Sequence, residues 1–299
     1  VLRLFRDALK IATPRYGVIP PTGRRARAAA TKVIGVPSGS CLVCGRPYDE
    51  TEYGPSRFLE CPVCGLARVV GYDGRADYWD SKQTADPYWT EAKGRYFLST
   101  LARLPRGRLL DLGGGVGEFA GVAADAGWDA YSYDTSPDAT AAARDRIGSR
   151  ALEEASTGFD VVTLWCVIAH VPDPGGLLDS VRAALRPGGT LWLTTPNFAF
   201  QRRYTRLLAV AGRPIVFGFG DDHIWHFTAA SLRRLLEDHG FVDVRFHYYG
   251  VIEWCSTGRS ASRVLIAGKR VWNSVARTGY RVGMPLATSE LQVTARLAG

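Results

Sequence analysis

Residues 108–119 read Arg-Leu-Leu-Asp-Leu-Gly-Gly-Gly-Val-Gly-Glu-Phe, an apolar run that enters four glycines within five positions and continues into a helical stretch. Such a segment predicts a strand handing the chain to a helix through a tight turn, where glycine lets the backbone approach a nucleotide and the first helical amides remain free to donate. The rest of the chain repeats the theme. Strands are predicted at 108–112, 129–133, 159–168, 190–195, 242–249 and 291–297, with helices near 90–104 and at 117–126, 137–146, 174–185 and 229–239. Strands separated by helices require parallel crossovers, so the expected fold class is α/β: a Rossmann-like doubly wound, mostly parallel sheet. Two helical insertions, near 198–222 and 256–288, interrupt the alternation.

Spacing within the turn distinguishes between nucleotides. The dinucleotide pattern GxGxxG begun at Gly113 needs glycine at 118, where the chain has Glu118. The pattern that fits is Asp-x-Gly-x-Gly-x-Gly, with Asp111 at the strand end. A carboxylate there suits a cofactor bearing an ammonium group better than a pyrophosphate. An acid closing the second strand about twenty residues after the glycines would bind ribose hydroxyls, and Asp134 occupies that place. The alternative role for Asp134 is a helix N-cap beside Pro137, a task open also to Thr135 or Ser136.

Four of the six cysteines form two tight pairs, Cys41-Leu-Val-Cys44-Gly45 and Cys61-Pro-Val-Cys64-Gly65, with sixteen residues between them. In a knuckle of this kind the glycine lets the backbone turn under a metal, and four thiolates satisfy tetrahedral zinc with no open position, so a zinc here is expected to be structural. A redox dithiol is the alternative. The pairing favours a reducing, cytoplasmic setting over a disulfide framework. It divides the chain into a basic arm at 1–36, a zinc ribbon at 37–72, an aromatic linker and helix at 73–107, and a catalytic domain at 108–299.

The formal charge of +8 comes largely from the arm, where residues 1–32 hold eight Lys and Arg against Asp7. No apolar run approaches the roughly 18 to 20 residues that would cross a bilayer. In the second insertion Arg263, Arg270 and Arg277 recur every seven residues beside Val264, Val271, Trp272 and Val275, as a basic amphipathic helix would arrange them. The first insertion brings Arg202, Arg203, Arg206 and Arg213 among aromatic residues, and is expected to be a lid on the core with a solvated charged side. Either insertion could alternatively face anionic substrate groups or make peripheral contact with an anionic membrane surface.

Taken together, residues 111–119, Tyr133-Asp134-Thr135-Ser136-Pro137, Phe159-Asp160-Val161-Val162-Thr163-Leu164, His170-Val171-Pro172-Asp173-Pro174, Leu185-Arg186-Pro187-Gly188-Gly189 and His226-Phe227-Thr228 resemble a class I S-adenosylmethionine-dependent methyltransferase. The cysteine ribbon ahead of the domain is similar to a branch that includes bacterial small-molecule and deoxysugar methyltransferases. The resemblance implies S-adenosylmethionine as cofactor. It places Asp111, Gly113, Gly115 and Gly117 by the methionine part, Asp134 and Thr135 by the ribose, Leu152 by the adenine, and Trp165 and Cys166 along the methyl-transfer cleft.

The implied acceptor is a small hydroxylated molecule (a sugar, a glycolipid precursor or a secondary metabolite), methylated on oxygen with a histidine base. Sugar C-methylation is an alternative, as is RNA methylation using the ribbon and the arm. Against nucleic acid, no Asn/Asp-Pro-Pro-Tyr/Phe motif follows the fourth strand. Among five histidines, His239 reads as a helix C-terminal residue, while His247 and His226 read as structural. His170 stands where related O-methyltransferases carry Glu-His, with Ala169 in place of the acid, which weakens any case for a catalytic divalent metal. Asp222-His223 is similar to the acid-His pair that supplies the base in deoxysugar C-methyltransferases. His223, oriented by Asp222, and His170 are the candidate bases.

Overall fold

Seven strands build the sheet that the glycine turn anticipates. The structure, a computed structural model, describes residues 39–53, 56–71, 91–154, 156–210, 223–247, 274–275, 278–279, 281–282 and 290–299. The sheet comprises β4 (Arg108–Leu112), β5 (Asp129–Tyr133), β6 (Ala151–Leu152), β7 (Phe159–Trp165), β8 (Leu185–Pro196), β10 (Phe241–His247) and β11 (Glu290–Leu297). Across the sheet the order is β10-β11-β8-β7-β4-β5-β6. The pairs from β8 to β6 are parallel, while β11 runs antiparallel to both β8 and β10. The chain winds outward from β4 to β6 and then restarts at β7 on the other side of β4. Strand order therefore reverses between β4 and β7, which is where open α/β sheets bind ligands at the carboxyl ends of their strands.

Alternation along the strands sorts side chains onto two faces. Leu109, Val161 and Trp192 join Phe97 and Leu101 of α1 (Glu91–Leu101) and Phe119 of α2 (Glu118–Asp125) in one core. Leu110, Val162, Leu191 and Leu193 face the other way, against Leu178 and Val181 of α4 (Pro174–Ala184) and Leu232 and Leu236 of α6 (Ala229–Asp238). Local chemistry sets the helix starts. Ser136 accepts from the Ala139 amide at 3.3 Å, with Pro137 in the first turn of α3 (Pro137–Ile147). Asp173 accepts from Gly176 at 2.9 Å ahead of Pro174, and Thr228 with Ser231 forms a reciprocal capping box on α6. Asp134 is thus not the cap of α3.

The cysteine segment folds into β1 (Asp49–Tyr53), β2 (Ser56–Glu60) and β3 (Ala67–Val69), an antiparallel sheet. Its fourth strand comes from far along the chain: β9 (Trp225–His226) pairs with β3, Ala67 opposite His226 and Arg68 opposite Trp225. The ribbon is therefore not a self-contained unit ending at residue 72. Cys41, Cys61, Cys64 and Leu66 share one apolar core with Ile224, Trp225, Phe227 and Leu232.

The first insertion opens with α5 (Phe198–Val210). Its expected solvated charged side is instead partly spent on the ribbon. Arg202 pairs with the buried Glu60, Arg206 donates to the Tyr53 hydroxyl at 3.0 Å, and that hydroxyl donates to Glu60 at 2.7 Å. Phe198 completes a cluster with Tyr53 and Phe58. The strand expected at 159–168 ends at Trp165, because Cys166 takes a left-handed φ of 58°. The basic helix expected within 256–288 lies mostly, and the arm at 1–36 wholly, outside the described residues.

Gly45 and Gly65 hold matching left-handed turns, φ 69° and 71°, but differ in surroundings. A Cβ on Gly45 would meet nothing within 4 Å, whereas one on Gly65 would lie 2.9 Å from Cγ2 of Thr228. Gly45→Ala is expected to lose about 1 to 2 kcal/mol for the backbone conformation alone. Gly65→Ala should lose roughly 2 to 4 kcal/mol, because overpacking is added. Urea denaturation of the two variants in the metal-loaded protein checks the difference.

Candidate functional site

At the switch point the glycine loop is anchored to the neighbouring strand: the amides of Gly113 and Gly114 both donate to the Tyr133 carbonyl, at 2.8 and 3.2 Å. Gly113 has φ 71°, and a Cβ there would lie 2.7 Å from the Val167 side chain. Any larger residue would push the segment after β7 off the loop. Asp111 is buried, and its Oδ1 accepts from the Thr163 hydroxyl at 2.7 Å. Asp134, also buried, accepts from the Gly115 amide through Oδ2 and from the Ser136 amide through Oδ1, both at 2.9 Å. An ionised carboxylate can accept about four hydrogen bonds, so Asp134 retains capacity for a ligand. Thr135 follows it, exposed, and Leu152 pairs with Tyr133, bringing β6 alongside.

The loop from 111 to 117 contains no lysine or arginine. A donor set of two buried carboxylates, left-handed glycines and backbone amides, without a cation, fits an ammonium group and ribose hydroxyls and does not fit a polyphosphate. These are the features that S-adenosylmethionine presents.

Beyond the loop, Trp165 ends β7 packed among Phe97, Phe119 and Tyr96, with ring centroids 4.7, 4.8 and 5.5 Å away. Cys166 follows in its left-handed conformation, its amide bonded to the Oγ1 of Thr194 at 3.1 Å. A non-glycine residue held at positive φ stores strain of order 1–3 kcal/mol, and such residues cluster at functional sites. A few residues further on, His170 stacks on His223 with ring centroids 4.3 Å apart and planes at 30°. The amides of Ile224 and Trp225 both donate to the Ala169 carbonyl, at 2.8 and 3.1 Å, which fixes this contact.

Asp222 lies outside the described residues, so the expected Asp222-His223 pair goes undescribed. His226 is buried against Phe58 and Phe198. His239 caps α6, its Nδ1 2.8 Å from the Leu235 carbonyl. Burial, with Arg103 and Arg245 nearby, lowers the pKa of His247, whose Nε2 is 2.6 Å from the Thr294 hydroxyl.

Sequence reasoning overlooked Glu290. This residue opens β11 and meets Gln292, Tyr96, Thr194 and Cys166, and burial pushes its carboxyl up to about 7 against the pull of those hydrogen bonds. The available signal was alternation: Glu290, Gln292 and Thr294 are polar, while Leu291, Val293 and Ala295 enter the core.

The four cysteine sulfurs converge within 4.8 Å of one another. Cys41 and Cys64 are 3.5 Å apart, Cys44 and Cys61 3.3 Å, Cys44 and Cys64 3.9 Å. Sulfurs around tetrahedral zinc at the usual bond length are separated by about 3.8 Å. The two loops are near copies: Gly45 donates to the Cys41 carbonyl and Gly65 to that of Cys61, at 2.8 and 2.9 Å. Hydrogen bonding from Cys64 lowers the Cys41 thiol to about 5, and the same contact drives Cys64 upward. Four thiolates this close would repel one another, so a full set of them requires a cation in their midst.

Residues 84–245, more than half of the chain, match the family described as a methyltransferase domain, and the chain belongs to that family. Over 129 residues it is 30% identical to the ubiquinone biosynthesis O-methyltransferase of Methylococcus capsulatus, covering 39% of this chain and 53% of that protein. The protein of the same name from Xanthomonas campestris is 28% identical over 135 residues, 40% of this chain and 56% of the relative. The chain thus spans about half the length of the curated relatives it matches. A solved S-adenosylmethionine-dependent methyltransferase from Archaeoglobus fulgidus aligns with 74% of this chain and all of its own length at 16% identity, with a TM-score of 0.45.

Proposed function

We propose that the chain transfers a methyl group from S-adenosylmethionine to a hydroxyl of a small molecule, with a histidine as proton acceptor and a structural zinc ion on Cys41, Cys44, Cys61 and Cys64. The observation that supports it is the stacked His170–His223 pair, held at the same sheet end as the glycine loop and the two buried carboxylates. The curated relatives named as O-methyltransferases agree in reaction type.

S-adenosylmethionine supplies a methyl group already activated on a sulfonium, so the tasks left to the protein are positioning and proton removal. Asp111 and the loop to Gly117 hold the amino acid end, Asp134 and Thr135 the ribose, and Leu152 the base. Trp165 and its aromatic neighbours exclude water from one wall. His223, or His170 beside it, takes the proton of the acceptor hydroxyl as its oxygen becomes the nucleophile. The zinc ion holds the ribbon, and through β9 the ribbon holds residues 223–226.

Asp134→Ala should weaken S-adenosylmethionine binding by roughly 1.5 to 3 kcal/mol, the value of charge-assisted hydrogen bonds, as read by calorimetry. Binding equal to wild type removes Asp134 from the cofactor site.

Metal analysis of the native protein should find one zinc ion per chain, and Cys61→Ser should reduce it. Native protein without zinc refutes the metal assignment.

His223→Ala should lower turnover on the order of a hundredfold or more while leaving cofactor affinity near wild type. The assay uses radiolabelled methyl transfer to cell extract separated into nucleic-acid, lipid and small-molecule fractions. His170→Ala should have the smaller effect, and a reversed order exchanges the two roles. Label in the nucleic-acid fraction, or full activity in both variants, overturns the reading.

A further inference from the structure

On the acceptor side of the sheet end, one carboxyl has no role in the reading above. Glu290 opens β11 with its Cα paired to that of Pro196, the residue that closes β8. It therefore sits at the carboxyl end of the parallel strands, beside the Trp165-Cys166 terminus of β7. Four uncharged groups from four parts of the chain turn donors toward it. Gln292 Nε2 donates to Oε2 at 3.0 Å, the Tyr96 hydroxyl of α1 donates to Oε2 at 3.4 Å, the Cys166 thiol lies 3.8 Å from Oε1, and the Thr194 hydroxyl of β8 completes the set. Among the described residues, the titratable groups that meet it are the Tyr96 phenol and the Cys166 thiol. Among the described residues no lysine, arginine or histidine pairs with it.

Packing alone does not favour a carboxyl in such surroundings, since withdrawing a charge from water without a counterion is unfavourable. Two further atoms next to it are incompletely served. Gln292 Oε1, an acceptor, and Trp165 Nε1, a donor, are buried without hydrogen-bond partners among the described residues. Gln292 bonds Glu290 directly, and the Trp165 ring packs on Tyr96, which does the same. A buried polar group left unsatisfied calls for an explanation, and a bound molecule that completes its hydrogen bonds is one. Cys166, forced to positive φ, turns its thiol into the same cluster.

We infer that Glu290 is the acceptor-binding carboxyl of the methyl-transfer cleft, accepting a hydrogen bond from a hydroxyl of the acceptor and so determining which hydroxyl faces the methyl donor. This rests on the hydroxyl-acceptor reading proposed above. Its role is separate from that of the histidine pair: Glu290 orients the acceptor, and the imidazole takes the proton. Because burial lifts its carboxyl to about 7, the ionised form that binds a hydroxyl strongly accumulates as pH rises through neutrality. Acceptor affinity should rise over the same interval.

The test measures binding, not turnover. Full-length wild type, Glu290→Gln and Glu290→Asp are titrated by calorimetry with two neutral vicinal diols, catechol and methyl α-glucoside, in the presence of saturating S-adenosylhomocysteine, at pH 6 and pH 8. For whichever diol binds, wild type should bind more tightly at pH 8. Glu290→Gln should weaken binding about tenfold or more and abolish the pH difference, with affinity for S-adenosylhomocysteine near wild type, and Glu290→Asp should recover part of the loss. Equal diol binding by Glu290→Gln and wild type overturns the assignment of Glu290 alone. Loss of S-adenosylhomocysteine affinity in both variants overturns it in favour of a structural role. Failure of both diols to bind wild type that still binds S-adenosylhomocysteine sinks the hydroxyl-acceptor reading, and this assignment with it.

Discussion

One hydroxyl ties the second cysteine knuckle to the start of α6. Thr228 Oγ1 donates to the Cys64 carbonyl at 2.7 Å while accepting from the Ser231 amide at 3.2 Å, so the atom that starts α6 also seats the second cysteine knuckle. The fit is close enough that Gly65 can carry no side chain against it. From this point the chain runs back through Phe227, His226 and Trp225, the last two forming the fourth strand of the ribbon, to His223 at the sheet end. The amides of Ile224 and Trp225 then fasten that segment to the turn after β7. The position of one histidine of the stacked pair is thus set by the ribbon on one side and the sheet on the other. A four-cysteine segment outside the cofactor loop can still matter to chemistry, by fixing a loop that the sheet holds through the Ala169 carbonyl.

Charge is distributed at the sheet end in an unusual way. Asp111, Asp134 and Glu290 are carboxyls in low-dielectric surroundings, and among the described residues hydroxyls, amides and a thiol donate to them. Arg202 and Arg206 of α5 bind Glu60 and Tyr53 on the ribbon. Carboxylates at the sheet end favour a cationic ligand, in keeping with a sulfonium cofactor.

Much of this architecture was legible in the residues. The strands at 108–112 and 129–133 have the limits their alternation predicts, and the helices at 118–125, 137–147, 174–184 and 229–238 fall within a residue of expectation, because Ser136, Asp173 and Thr228 are strong caps and Gly148 and Gly240 close two of them. What remained hidden depends on distant partners. Two residues cannot announce a strand, and β9 exists because β3 offers it a ladder. The left-handed turn at Cys166 belongs to its contacts with Thr194, and nothing in the cysteine itself foretells it. Glu290 reads as a solvent-facing acid until α1 and β8 close over it. Arg202 and Arg206 look like free surface charge until Glu60, buried in the ribbon, is seen to receive one of them.

The sheet's two margins also differ from its middle. On one side β6 is only two residues long; on the other, β10 is bent by an irregularity between Val242 and Arg245, where Asp243 takes φ 54° and its carboxylate is bound by Arg296 at 3.0 Å. A short strand and a kinked, charged one are both poor templates for another chain to lengthen the sheet. The same kink that interrupts the β10–β11 ladder therefore makes that margin hard to extend, while the longer strands β7, β8 and β11 lie inside the sheet.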